Sequence, residues 1–537
     1  MKLSYEGIRD AAAFAAAGIV LPRYDWKAMA ETTEQHPVWV HFGAGNIFRG
    51  FIASLQQRLL NESLAHSGIV AAETFDYEII DKIYDPHDSM TLAVSLKPDG
   101  NTDKEVIASI AKGIRANSAD AAQWAQLKAL FVNPELQMAS FTITEKGYAL
   151  RNMKGELMPV VVADMQDGPD KARHAMSVVA AMLFARFQAG AAPIAMVSMD
   201  NCSHNGEKLR GSVLEIVDAW VKAGFAPAEF AAYVGDETRV SFPWSMIDKI
   251  TPRPAKIIED QLTAQGVEEM APVVTSRNTF IAPFVNAEIP QYLVVEDRFP
   301  NGRPALEKAG VYMTDRDTVN MTERMKVTTC LNPLHTALAV YGCLLGYDLI
   351  ANEMKDAELV KLVRTIGYVE GLPVVTDPKI LSPKAFIDEV VEKRLPNVFM
   401  PDTPQRIATD TSQKVAIRFG ESIKSYMADP AKDPATRTAI PLALAGWLRY
   451  LLAVDDEGKP FTCSNDPMLA TMQADLAGVT LGDPASVKGK LKGILSNANV
   501  FGVDLYAAGL ADKVEGLLAE EIAGPGAVRA TLKKYLG

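Results

Sequence analysis

The sequence predicts an α/β protein, with a mostly parallel, helix-covered sheet in its first part and a mostly α-helical second part. Three observations carry this. A short apolar run, "VWVHF" (residues 38–42), passes directly into a glycine turn, "GAGNIFRG", and then into a segment with helical periodicity. Further apolar runs of strand length alternate with helices up to about residue 316. Beyond about Asp317 strand signals nearly vanish. A chain of 537 residues is too long for one core, so a division into residues 1–316 and 317–537 is expected.

The elements follow in order. In residues 51–66, Phe51, Leu55, Leu59 and Leu60 fall at helical spacing with polar residues between them. "GIVAAE" (68–73) reads as the next strand and completes a β-α-β unit. "MASFTIT" (138–144), "PIAMVSM" (193–199) and "QYLVVED" (291–297) read as further strands. Helices are expected over 171–190, where Gly190 suits a C-cap, and over about 206–223. Such alternation implies a parallel sheet with helices on both faces. The second part is expected to be built on "PLHTALAVYGCLLGY", "DAELVKLVRTIGYVEGL", "SPKAFIDEVVEKRL" and "IPLALAGWLRYLLAV".

Composition narrows the function. Hydrophobic residues make up 48% and charged residues 22%, an ordinary soluble composition. A net charge of -12 excludes nucleic acid as an expected partner, although a few local Arg and Lys can still hold an anionic small molecule. The four cysteines form no CxxC pair, which fits a reducing cytoplasm. The Ala-rich start is interrupted by Glu6 and Asp10 and lacks a basic leader, so no signal peptide is expected. Apolar runs end well before ~18 residues, so no membrane span is expected. Nothing in these features sets the oligomeric state.

Gly43 and Gly45 match the first two glycines of GxGxxG, and Phe48 takes the third position. Gly43 permits a tight turn, and Gly45 lets backbone approach a pyrophosphate at the positive end of the following helix. Between a strand and a helix, this points to a Rossmann-type dinucleotide site lined by Gly43, Gly45, Asn46, Ile47 and Phe48. Glu73 at the end of the second strand, or Asp76 beyond it, is the expected ribose ligand, which favours NAD.

A nicotinamide enzyme needs a group to take the hydroxyl proton. No Tyr-x-x-x-Lys is present, and the histidines and dispersed cysteines offer no zinc-ligand spacing, so no metal is expected. A lysine base remains. "ERMKVTTCLNPLHTALAVYG" (323–342) brings Lys326, Asn332 and His335 into ten residues. In an unbroken helix Lys326 and His335 would face opposite ways, nine residues at ~100° being half a turn out of phase. Asn332-Pro333 is expected to break the helix, with Asn332 as N-cap and Pro333 as first helical residue. Lys326, partly desolvated, would act as general base; Asn332 and His335 would donate to the developing alkoxide.

The chain resembles the mannitol dehydrogenase family of polyol-specific long-chain dehydrogenases, which carries Lys-x5-Asn-x2-His. Lys326, Asn332 and His335 match that pattern without a gap. The resemblance implies that Glu323 lies on a water path to the base. It implies from "SMDNCSHNG" that Asn201 lies beside the reacting carbon, and from "SMIDKITP" that Asp248 lies near substrate. "FTITEKGY", "VVEDRF" and "HFGAGNIFRGF" resemble segments of the cofactor domain, and "QRIATDTSQK" one whose Arg406 and Lys414 contact the far end of the substrate. The likeness runs from about residue 38 to 414.

"GNIFRGF" and "LLNES" resemble the family's sugar-acid branch. Arg406, Lys414 and Arg418, four or eight residues apart, would cluster positive charge on a helix, which suits a carboxylate or a phosphate. The implied reaction is NAD-linked oxidation of D-mannonate at C5 to D-fructuronate. Tagaturonate reduction, mannitol or arabinitol oxidation and an NAD-tethered epimerase are the alternatives, with a catalytically inert dinucleotide sensor as a further class.

Overall fold

Side chains alternate across a strand, so Val40 and Phe42 face one side of the sheet while Trp39 faces the other. All three are buried, so both sides of the sheet are covered. The sheet contains six strands: β1 (Trp39–Phe42), β2 (Ile69–Glu73), β3 (Ile110–Arg115), β4 (Met138–Phe141), β5 (Ile194–Ser198) and β6 (Val240–Ser241). They hydrogen-bond in the order β3-β2-β1-β4-β5-β6, and every pair is parallel. The order reverses at β1, the switch point where ligands of open α/β sheets bind beyond the carboxyl ends of the strands.

Four helices cover the sheet: α1 (Ala53–Asn61), α2 (Ala121–Val132), α3 (Ala175–Gln188) and α4 (Asn205–Lys222). Val40, Phe42, Val70, Ala72 and Met196 pack with Leu127 of α2, Val179 of α3 and Val213 of α4. On the opposite side Trp39, Ile69, Ala71, Met138 and Val197 pack with Phe48, Phe51, Leu55 and Leu59 around α1. The computed structural model describes residues 1–537, and contacts divide the chain into one unit of residues 1–97 and 101–320 and a second of 98–100 and 321–537.

Three features of the first unit differ from the sequence reading. The run 291–297 forms a strand, Tyr292–Glu296, but not in the large sheet; it pairs antiparallel with Ser245–Asp248 and parallel with Tyr312–Thr314. It follows, after a three-residue link, the strand Phe284–Glu288, which itself pairs with Thr91–Leu96 in another sheet, so no crossover helix returns the chain to the large sheet at this point. The run 138–144 ends as a strand at Phe141, because Thr144 has a left-handed φ of 64° and opens a short helix, Thr144–Tyr148. β3 and the strand Thr102–Ile107, which pairs antiparallel with Thr91–Leu96, carry charged residues that hide them as buried strands.

The second unit has no strand, only the isolated bridges Val454↔Pro460 and Thr480↔Asp483. Helix α5 (Arg316–Met325) carries the chain across the division at Met321, which therefore lies inside a helix and not in a linker. Next come α6 (Asn332–Leu345) and α7 (Ala439–Leu451). Every residue of α7 is buried, as expected of a helix apolar on all sides. Its N-terminal amides are satisfied internally: the Glu370 carboxylate accepts from Thr438, Ala439 and Ile440 at 2.6 to 2.8 Å. A Cβ at Gly446 would lie 2.5 Å from the Tyr341 ring, and the Tyr341 hydroxyl donates to the Leu442 carbonyl. This close approach fixes α6, the carrier of His335, against α7.

Glu353 is buried beside Gly342, and neither carboxylate oxygen has a hydrogen-bond partner. Burial pushes its carboxyl up to about 10. The folded chain therefore holds this proton more tightly than the unfolded chain, so stability falls as pH rises from the ordinary carboxyl range through about 10. Glu353→Gln is expected to gain about 3 kcal/mol near pH 7, with the gain vanishing at or below about pH 4.5. Denaturant unfolding of both proteins across that range measures it, and a difference that does not vary with pH would contradict the assignment.

Candidate active site

Gly43 ends β1 with φ of 100°, and a Cβ there would lie 2.3 Å from the Thr142 carbonyl oxygen, so only glycine fits. Gly45 is different: a Cβ there would meet nothing within 4 Å. The turn is crowded where it touches β4 and open at the position expected to approach a pyrophosphate. The third glycine is dispensable for a structural reason. A π-helical turn, Phe48–Ile52, widens the helix start, and Phe48 stacks on the buried His41 ring at 4.0 Å. The close approach passes to Gly50, where a Cβ would lie 2.7 Å from the Val285 side chain. Asn46 is held by the buried Arg49 guanidinium at 2.8 Å, and Ile47 packs on the apolar core beneath. His41 lies between the hydroxyls of Ser140 and Thr142, and burial holds its pKa well below the ordinary value.

Glu73, the expected ribose ligand, is engaged by backbone amides at the end of β2. Its two oxygens accept from the amides of Ala44 at 2.8 Å, Phe75 at 2.8 Å and Asp76 at 3.2 Å, and it is only 6% exposed. Burial raises its pKa against those three bonds. The carboxylate ties the glycine turn to the end of β2. Asp76 is also buried, with Oδ2 accepting from the Thr275 hydroxyl at 2.6 Å.

Two motif residues frame Asn201 beyond β5. Asp200 accepts from the amides of Ile143 and Thr144 at 2.8 and 3.0 Å and from the Tyr148 hydroxyl at 2.6 Å, binding the ends of β4 and β5 together. Asn205 donates to the carbonyls of Asp200 and Ser245 at 3.0 Å and accepts from the Ser245 amide at 3.0 Å. Asn201 is thereby held at an exposed position at the carboxyl edge of the sheet. Asp248 is buried at the end of its strand, opposite Tyr292.

In the second unit Lys326 is 1% exposed. It opens a π-helical turn, Lys326–Cys330, closed by a 3.1 Å bond from the Leu331 amide to the Lys326 carbonyl. Leu331, with φ −130° and ψ −61°, is the break. The expected N-cap role of Asn332 is therefore corrected. The wide turn takes one extra residue, the bend falls at Leu331, and Asn332 and Pro333 are the first two residues of α6. The Asn332 carboxamide caps no helix. Glu323 lies half-buried on α5, one turn before Lys326.

His335 is nearly buried, with Nε2 3.6 Å from Asp402 Oδ2. Burial pushes its imidazolium down to about 4, opposed by Asp402 and reinforced by Arg418, Arg394 and Arg406. The ring is neutral at neutral pH and donates one N–H. Arg406 is largely exposed and pairs with Asp402, while the Lys414 ammonium donates to the carbonyls of Thr409 and Ile407. Arg418 Nη1 donates to the Thr336 hydroxyl at 2.5 Å. The sequence reading missed Asp402, although an acid four residues before Arg406 is a helical pairing signal. It also missed that Glu73, Asp200 and Asn205 are tied up in holding backbone.

The two glycines separate fold from ligand. Gly43→Ala is expected to cost about 2 kcal/mol or more, through strain against Thr142. Gly45→Ala is expected to leave the thermal transition within about 2 °C while weakening dinucleotide binding roughly tenfold. Calorimetry and a cofactor fluorescence titration on both variants check this; equal loss of stability in the two would contradict it.

Comparison with known proteins bears on this arrangement. Residues 38–308 match the mannitol dehydrogenase Rossmann domain, and residues 318–519 match the mannitol dehydrogenase C-terminal domain. A D-mannonate oxidoreductase of Thermotoga maritima is 51% identical, over 100% of this chain and 99% of its own. A polyol:NADP oxidoreductase of Gluconobacter oxydans is 28% identical over 86% of this chain and 88% of its own. The structure of Pseudomonas fluorescens mannitol 2-dehydrogenase, in ternary complex with NAD and D-mannitol, is 25% identical, covers 99% of both chains and superposes with a TM-score of 0.69. A switch-point glycine turn, an all-helical second half and both family domains in series place this chain in the mannitol dehydrogenase family.

Proposed function

We propose that this protein is an NAD-dependent secondary-alcohol dehydrogenase that interconverts D-mannonate and D-fructuronate. The observation that carries this is 51% identity, end to end, with a D-mannonate oxidoreductase. The unbroken Lys326–Asn332–His335 pattern on the interrupted helix supports it.

Gly43, Gly45 and the helix start at Asn46–Phe48 would hold the pyrophosphate, and bound NAD supplies the hydride acceptor. In the oxidation direction Lys326 takes the C5 hydroxyl proton as the C5 hydride departs, so one proton and one hydride leave and a ketone forms. The buried position of Lys326 keeps competing water from that proton. Asn332 and neutral His335 donate to the oxygen as its charge grows. Glu323, one turn before Lys326, passes the proton outward. Asn201 and Asp248 orient the sugar chain, and Arg406 and Lys414 provide positive charge toward its acid end. All four cysteines are free thiols, which supports a reducing, cytoplasmic site of action.

Lys326→Ala is expected to lower kcat by about 10³-fold while NAD still binds, since general base catalysis contributes roughly 10² to 10⁴. Steady-state rates and a cofactor titration test it; turnover comparable to wild type would remove Lys326 from the base role. Net NADH formation with D-mannonate, exceeding that with mannitol, altronate or arabinitol, tests the substrate, whereas an epimerase produces no net NADH. His335, with its pKa near 4, stays neutral from about pH 5 upward, so it contributes no ionisation near 6.5 to kcat/KM. A limb there that His335→Asn abolishes would overturn the assigned charge.

A further inference from the structure

Several arginines are withdrawn from water without a carboxylate partner, and they differ in how their donors are used. Arg186 donates to the carbonyls of Phe131, Asn133, Leu136, Ala192 and Pro193. Arg449 donates to those of Val454, Asp455 and Glu521. Arg49 donates to Thr91, the Ala282 carbonyl and Asn46. Each guanidinium makes three or more hydrogen bonds and serves as a tie between segments, although Nε of Arg49 is buried without a partner. Arg418 is the exception. Its guanidinium makes one hydrogen bond, to the Thr336 hydroxyl, and no ion pair. Its position is specific: Thr336 is the neighbour of His335 on α6, and the Thr336 hydroxyl in turn donates to the Asn332 carbonyl at 2.9 Å.

The charge nearest Arg418 on its own segment is a cation. The Arg418 backbone amide donates to the Lys414 carbonyl at 2.9 Å, so Lys414 lies one turn away on the same helical segment. The acid facing His335, Asp402, is already paired with Arg406. Burial lowers the Arg418 pKa to about 10 with no carboxylate to offset it. A guanidinium carries five N–H donors in a rigid fork that matches a carboxylate. A charge removed from water is normally compensated by a partner. Arg186 and Arg449 follow that rule with carbonyls; Arg418, half-buried, makes one protein hydrogen bond, to a hydroxyl, and its remaining donors have no protein partner.

We propose that Arg418 is the residue that selects a sugar acid over a neutral polyol, by accepting the C1 carboxylate of the substrate on its guanidinium fork. This deepens the D-mannonate reading and rests on it. The carboxylate of that substrate lies four carbon–carbon bonds from C5. One anion can therefore span from the oxygen held by His335 to a guanidinium bonded to the next residue of α6. A polyol offers a neutral hydroxyl at the same end and leaves the fork without a charged partner, so the site discriminates by what it leaves unpaired as well as by what it binds.

The test is the ratio of kcat/KM for D-mannonate to that for D-mannitol, measured on wild type, Arg418→Gln and Arg418→Lys. Wild type is expected to favour mannonate. Arg418→Gln is expected to lose roughly 10²-fold on mannonate, chiefly in KM, so that the ratio collapses. Arg418→Lys keeps the charge but not the fork and is expected to lose roughly tenfold, which also serves if the glutamine variant does not fold. A ratio unchanged from wild type in a folded variant, or an equal loss on both substrates, would overturn the proposal and leave Arg418 as a prop for Thr336. A wild type that favours mannitol would instead overturn the D-mannonate reading itself.

Discussion

One hydrogen bond, from the Leu331 amide to the Lys326 carbonyl, organises the segment that carries Lys326, Asn332 and His335. It closes a five-residue turn in place of an α-helical one, and the backbone then bends at Leu331 before α6 begins. Without it, α5 and α6 would be one helix, and the lysine would face away from the imidazole. A π turn is a costly departure from regular geometry and recurs at functional sites for that reason. Here it lets a buried amine, a carboxamide and an imidazole be carried on a single rigid segment. The packing of α6 against α7, through Tyr341 and Gly446, gives that segment a fixed support.

A second theme is the use of buried carboxylates to hold backbone. Glu73 fastens the glycine turn to β2, Asp200 joins the ends of β4 and β5, and Glu370 closes the start of α7. Each accepts main-chain amides that have no other partner at a strand or helix end. The acids that a pattern reader assigns to ligands are thus partly structural. Around His335, in contrast, the one facing acid, Asp402, is paired with Arg406, and Arg418 lies beside Thr336.

Much of the fold was legible from periodicity. Residues 38–42, 68–73 and 193–199 are mostly apolar because both faces of a parallel strand are covered, and each is a strand within a residue or two of the expected limits. α7 was legible for the same reason. β3 was not, since Lys112, Gly113 and Arg115 disguise it. The strand 292–296 was legible as a strand but not as a member of another sheet, because partner choice depends on link length and on distant segments.

The sequence by itself determined which groups this protein can use: the glycine spacing, Lys326, Asn332 and His335, and the excess of arginine and lysine between 406 and 418. Those follow from residue type and order alone. Only the tertiary structure decided what each group is engaged in. It placed the helix break at Leu331, engaged Glu73 with three backbone amides, paired Arg406 with Asp402, and left Arg418 with a single hydroxyl. The physical reason is that hydrogen-bond partners are drawn from segments far apart in the chain. Whether a polar side chain is satisfied internally, or has donors left for a ligand, is a property of the packed interior and not of its neighbours in sequence.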